Sequence, residues 1–134
     1  MAYLLSFFLA LECWATEVRW GLDPGILMAV VSHESSGRQR LITQERGGCS
    51  VGAAQVYVPG CTRKQVMRLL DLRTNLDAGA KVLSRSRDKC KRNPKLKACR
   101  RCVWAFYNAG SGSWCRNVER KWKELLPEWP GGDV

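Results

Sequence analysis

Helix-starting and helix-stopping residues recur at short intervals along this chain, and that punctuation restricts it to a bundle of short helices. Asp23 offers an N-cap with Pro24 behind it, and Gly21 and Gly37 are natural stops. The spacing predicts a first helix from Tyr3 to Arg19 and a second from Pro24 to Ser35. Thr62 can cap a third through Leu70, and Thr74 a fourth through Asp88. A short buried helix over Cys102 to Ala109 ends at Gly110. Val118, Trp122 and Leu125 mark a final amphipathic helix ended by Pro127, with residues 128–134 as a loose tail. Between Arg38 and Gly60 the chain is irregular, with a small β element near Gly47 to Val58. The expected fold class is mostly α, a single domain over residues 1–134 of about six helices.

In the first helix Leu4, Phe8, Leu11, Ala15 and Val18 recur at helical spacing, so this stripe is expected to face the core. Ala2 to Leu11 also resembles the apolar centre of a secretion signal, but no Lys or Arg precedes Arg19, which favours an uncleaved core helix. No apolar run is long enough for a typical membrane-spanning helix.

The formal net charge is +10, and it is concentrated. Between Arg85 and Arg101 stand nine Lys/Arg and one acid, Asp88, while the remainder is close to neutral. This segment is either a solvated loop or a grip on a polyanion. Seven cysteines suit an oxidising compartment, with up to three disulfides and one thiol left over. Sequence does not fix the pairing, and Cys90, Cys99, Cys102 and Cys115 form an alternative zinc set.

Glu34 is the residue that local physics least expects. Leu27, Val30 and Val31 lie seven, four and three residues before it, so it continues an inward apolar stripe. A carboxyl there is partly desolvated, its pKa rises, and it keeps a proton that a general acid can donate. His33 sits a quarter-turn away and reads as a rim residue. Two further segments carry sugar-binding groups. Gly52-Ala53-Ala54-Gln55-Val56 sets a carboxamide among small residues, and Phe106-Tyr107-Asn108-Ala109-Gly110 sets a phenol and an amide beside a turn.

In order, Glu34-Ser35, Gly52-Ala53-Ala54-Gln55-Val56, Asn75-Leu76-Asp77-Ala78-Gly79 and Tyr107-Asn108-Ala109-Gly110 resemble the soluble lytic transglycosylase family, whose fold is lysozyme-like. Trp20-Gly21-Leu22-Asp23-Pro24 is similar to the family's lead-in, and the length matches its short phage or secretion-system forms. The resemblance implies that Glu34 is the single catalytic acid and base. It implies that Gln55 lines the sugar cleft, Tyr107 orients Glu34 or substrate, and Asn108 supports that end. Ser35 belongs to the binding set, and Ser50 or Thr43 supplies a hydroxyl. Ala53 and Ala54 replace bulkier family residues, so a more open cleft wall is expected. The basic Cys-rich segment 85–102 is not a family hallmark.

The implied reaction cuts the β-1,4 bond between N-acetylmuramic acid and N-acetylglucosamine and closes a 1,6-anhydro ring. A hydrolytic lysozyme would need a second carboxylate. Glu45 is the plausible one, whereas Asp71 and Asp77 read as turn and surface residues. No metal or cofactor is expected. The expected partner is the peptidoglycan glycan strand, with anionic wall polymer or lipid on the basic segment and no nucleic acid. The protein would be a monomer or part of a phage or secretion assembly, acting in the periplasm, cell wall or virion. A non-enzymatic basic binding module is the rival from another class.

Overall fold

The computed structural model describes residues 2–108 and 112–132. Six α-helices are present among them: α1 (Ala2–Trp20), α2 (Ile26–Ser35), α3 (Arg63–Leu69), α4 (Leu72–Arg92), α5 (Lys97–Arg101) and α6 (Gly112–Leu125). Single turns of 3-10 helix cover Ala105–Asn108 and Leu126–Glu128. Three short strands, β1 (Ile42–Glu45), β2 (Gly48–Val51) and β3 (Val56–Pro59), form one antiparallel sheet in sequence order. The small β element is therefore larger than the sequence suggests and begins before Gly47.

The core is built around α2. Ile26, Leu27, Val30 and Val31 are fully buried, and α1, α4 and α6 pack against them. A second small cluster of Cys49, Val51, Val58 and Leu69 fills the space beneath the sheet. Burying such side chains is the main stabilising term, about 1.5–3 kcal/mol for each large aliphatic.

The first helix rotates its apolar stripe outward. Leu9, Cys13, Thr16 and Glu17 are buried, while Phe8, Leu11 and Val18 are exposed and Ala15 is half-buried. The side chain of Leu4 lies outside the described residues. The cause is a polar one. Glu17 faces inward because its carboxylate accepts hydrogen bonds from the backbone N–H of Gly25, Leu27 and Met28 and from Trp129 Nε1. It thereby satisfies the free donors at the start of α2, where the helix dipole also favours a negative charge. The cap of α2 is thus Glu17 rather than Asp23, and Gly25 supplies the left-handed backbone (φ 84°) at the junction. Trp129 is buried in the same contact, so the segment expected to be a loose tail is packed through Gly132.

The fourth helix also differs in its limits. Asp71 caps it, accepting from the N–H and hydroxyl of Thr74, so Thr74 is the capped residue and not the cap. It continues to Arg92 because Lys89, Lys91 and Arg92 complement the negative end of its dipole. Most of the basic segment is therefore helix, Arg85 to Arg92 in α4 and Lys97 to Arg101 in α5. Disulfides join Cys49–Cys61, Cys90–Cys99 and Cys102–Cys115, leaving Cys13 as a buried thiol. The four cysteines of the zinc alternative are oxidised in pairs and have no thiolate to offer a metal. Among the described residues, no helix is long and apolar enough to cross a membrane.

Candidate active site

Glu34 stands in the last turn of α2. Immediately after it Ser36 and Gly37 adopt left-handed backbone (φ 55° and 82°), which ends the helix and turns the chain away. The carboxyl is consequently half-buried and faces a cavity of about 300 Å³ lined by Glu34, Glu45, Ser50, Gln55, Tyr57 and Tyr107, among others. Burial raises its pKa and the nearby charge of Glu45 adds to that, while a hydrogen bond from Trp114 opposes both. That bond runs from Trp114 Nε1 to Glu34 Oε1 at 2.7 Å. Trp114 itself is buried in α6 and stacks on Tyr107, centroids 5.5 Å apart and planes 15° apart.

Glu34 and Glu17 are two desolvated carboxyls with different chemistry. Both are raised by burial. Glu17 is wholly enclosed and its carboxyl is occupied by four N–H donors, so its role is structural. Among the described residues Glu34 has one indole donor and an open side, so its proton can reach a ligand.

Three of the sequence motifs meet in one construction beneath the cavity. The buried Asn75 amide donates to the Val51 and Leu69 carbonyls, and its oxygen accepts from Ala54 N–H at 2.8 Å. This fixes the turn 52–55, where Gly52 (φ 79°) leaves room for Asn75: a Cβ there would sit 2.2 Å from Asn75 Nδ2. Gly79, one helical turn after Asn75, has no side chain because a Cβ would lie 2.8 Å from Ala54 Cβ and 3.2 Å from the Tyr107 hydroxyl. Tyr107 donates a short hydrogen bond to the Ala54 carbonyl. Burial, and then the Glu34 charge, push its phenol well above the ordinary value, so it remains a donor.

Gln55 reaches the cavity wall from that turn, with its NH2 held by the carbonyls of Leu41 and Gly52 at 3.0 Å each. Both its N–H groups are used, so the carboxamide oxygen is what remains for a ligand. Ser50 and Tyr57 are partners across the β2–β3 ladder and share one sheet face, with Glu45 on the same side of β1. The Ser50 hydroxyl donates to Glu45 Oε1 at 3.3 Å. Asn108 and Phe106 complete the wall from the 3-10 turn. Ala109 and Gly110 of the same motif lie outside the described residues.

Some expected roles are corrected by position. Ser35 is buried away from the cavity, its hydroxyl donating to Val31 O and accepting from Gly37 N–H, so it closes the helix end and does not meet a ligand. Ala53 and Ala54 are fully buried under the turn and open no wall. Thr43 is exposed on β1, and Ser50 is the hydroxyl at the cavity. Asp71 serves as the α4 cap and Asp77 pairs with Arg19 at 2.8 Å, both outside the site. His33 packs edge-on against Trp114, and burial, then Lys121 and Arg120, hold it below its ordinary pKa. Trp114 was not legible as a site residue. It lies 80 positions from Glu34, and no local pattern distinguishes it from any other core tryptophan.

A family model described as the transglycosylase SLT domain matches residues 13–126, most of the chain and all of the residues around this cavity. No curated protein and no solved structure matches it.

Proposed function

The chain belongs to the SLT transglycosylase family, whose members act on peptidoglycan, and on that premise we propose that it cuts the β-1,4 bond between N-acetylmuramic acid and N-acetylglucosamine with Glu34 as acid and then base. Protonated Glu34 donates to the glycosidic oxygen, and the bond to C1 breaks. The substrate's own acetamide shelters the resulting cation. Glu34, now ionised, takes the proton from the muramic C6 hydroxyl, and that oxygen closes on C1. The product is a 1,6-anhydro end formed without water. Gln55, Ser50, Tyr107 and Asn108 hold the strand, with Tyr107 acting through Trp114 and Ala54 to keep the wall in place.

The observation that carries this reading is the state of Glu34: desolvated, held by one N–H donor among the described residues and open to the cavity. One observation favours a second reading. Glu45 faces the same cavity, where a hydrolase would keep the carboxylate that activates water. Release of soluble fragments from purified sacculi separates the two. Glu34→Gln should lower the rate by about 10²–10⁴ in either case. Glu45→Gln should leave it within a few-fold under the lyase reading, and should match the Glu34 loss under the hydrolase reading. Three disulfides and this substrate together support action outside the cytoplasm.

A further inference from the structure

The flank of α4 that begins at the cavity continues as a line of cations. Val82 lines the cavity, and Arg85, Lys89 and Arg92 follow it within a quarter-turn of the same side. The opposite flank is occupied by α1 and the turn after it, through Asp77 with Arg19 and Arg87 with the Gly21 carbonyl. Lys89 is placed against the site itself: its Nζ stands 4.1 Å from the centroid of Phe106, a residue of the cavity wall. The one acid of the segment, Asp88, is taken by Arg87 at 3.4 Å, and none of the three cations forms an ion pair among the described residues. Beyond Arg92 the chain folds back over a hollow of about 360 Å³ lined by Arg92, Asn93, Pro94, Lys95 and Leu96. The Cys90–Cys99 disulfide fixes this return, so the cations form a built surface and not a loose loop.

We infer that Arg85, Lys89 and Arg92 bind the carboxylates of the peptide stems carried by the glycan strand held in the cavity. The inference rests on the proposed substrate and adds which part of it this flank recognises. Length favours the stem over a separate polyanion. Val82 to Arg92 spans about 15 Å of helix axis, close to the reach of an extended peptide of four or five residues at about 3.3 Å each. A stem leaves the muramic residue beside the cavity, so its carboxylates run along a track of matching length and opposite charge.

The test compares glycan strands bearing stems with the same strands after an amidase has removed them. Binding and cleavage are read separately, for wild type and for the triple variant Arg85→Gln, Lys89→Gln, Arg92→Gln. The expected result is about tenfold tighter wild-type binding of stem-bearing strands at low salt, the size three exposed ion pairs supply, and its loss in 0.5 M salt. The triple variant should lose that preference, and the double variant Arg85→Gln, Arg92→Gln, which leaves Lys89 on Phe106, should lose most of it while cutting stem-free strands at the wild-type rate. Equal loss on both substrates, or no loss on either, would overturn the inference. Loss confined to polyphosphate or to anionic vesicles would overturn it in favour of a separate polyanion. A wild type that prefers stem-bearing strands but cuts neither would sink the proposed reaction and leave the binding surface standing.

Discussion

Glu34 has a free-energy cost that its chemistry explains. Its folded-state pKa is raised, so the folded protein holds this proton more tightly than the unfolded chain does. Stability contributed by the group is therefore full below the ordinary carboxylate range and is lost as pH rises through the folded value. Glu34→Gln should raise Tm at pH 7 by about 2–4 °C while removing activity, and the gain should vanish near pH 4. A thermal-unfolding series across pH reads both. Trp114 acts on the same group in the opposite sense, since its N–H bond stabilises the anion. In Trp114→Phe the stacked ring over Tyr107 is kept and the donor is lost. Glu34 then titrates at higher pH, and the alkaline limb of the pH–rate profile should move further alkaline. An unmoved limb in a folded variant would exclude Trp114 as the group that tunes the acid.

The elements hold the site through a few buried contacts, and these separate what the sequence discloses from what it conceals. Asn75 joins α4 to the turn carrying Gln55 and to the strand below it. Asn75→Ala leaves three backbone groups without a partner and should cost about 2–4 kcal/mol, seen as a lowered denaturation midpoint together with reduced turnover. Gly79→Ala should destabilise by about 1–3 kcal/mol, because its new methyl meets Ala54 and Tyr107. Glu34 was legible because it breaks a 3.6-residue apolar pattern, and Gln55 and Tyr107 because they stand in short motifs at a recognisable spacing. The outward turn of α1 was not legible from the same periodicity. A count of apolar residues assigns the core to Phe8 and Leu11, whereas the deciding group is Glu17, whose four donors come from Gly25 and the first turn of α2 and from Trp129, 112 residues away. Caps failed for a related reason: Asp23 and Thr74 have the right chemistry, but Glu17 and Asp71 have the right positions.

At the scale of the whole molecule, two of the disulfides tie the site and the cationic segment into the fold. Cys102–Cys115 spans the 3-10 turn with Tyr107 and the first turns of α6 with Trp114, so it fixes the two rings that position Glu34. Cys90–Cys99 closes the cationic return at the far end of α4. Each closes a short loop and contributes about 2–4 kcal/mol. Replacing Cys102 and Cys115 by serine should therefore lower cleavage of every peptidoglycan substrate. Replacing Cys90 and Cys99 should spare stem-free strands and weaken stem-bearing ones. Whether Glu34 serves as both acid and base is read most directly from the mass of the fragments released from sacculi. Wild type should release muropeptides with 1,6-anhydro ends, one water lighter than hydrolytic products, and Glu34→Gln none. Fragments with reducing ends, or undiminished release by the Glu34 variant, would contradict that dual role.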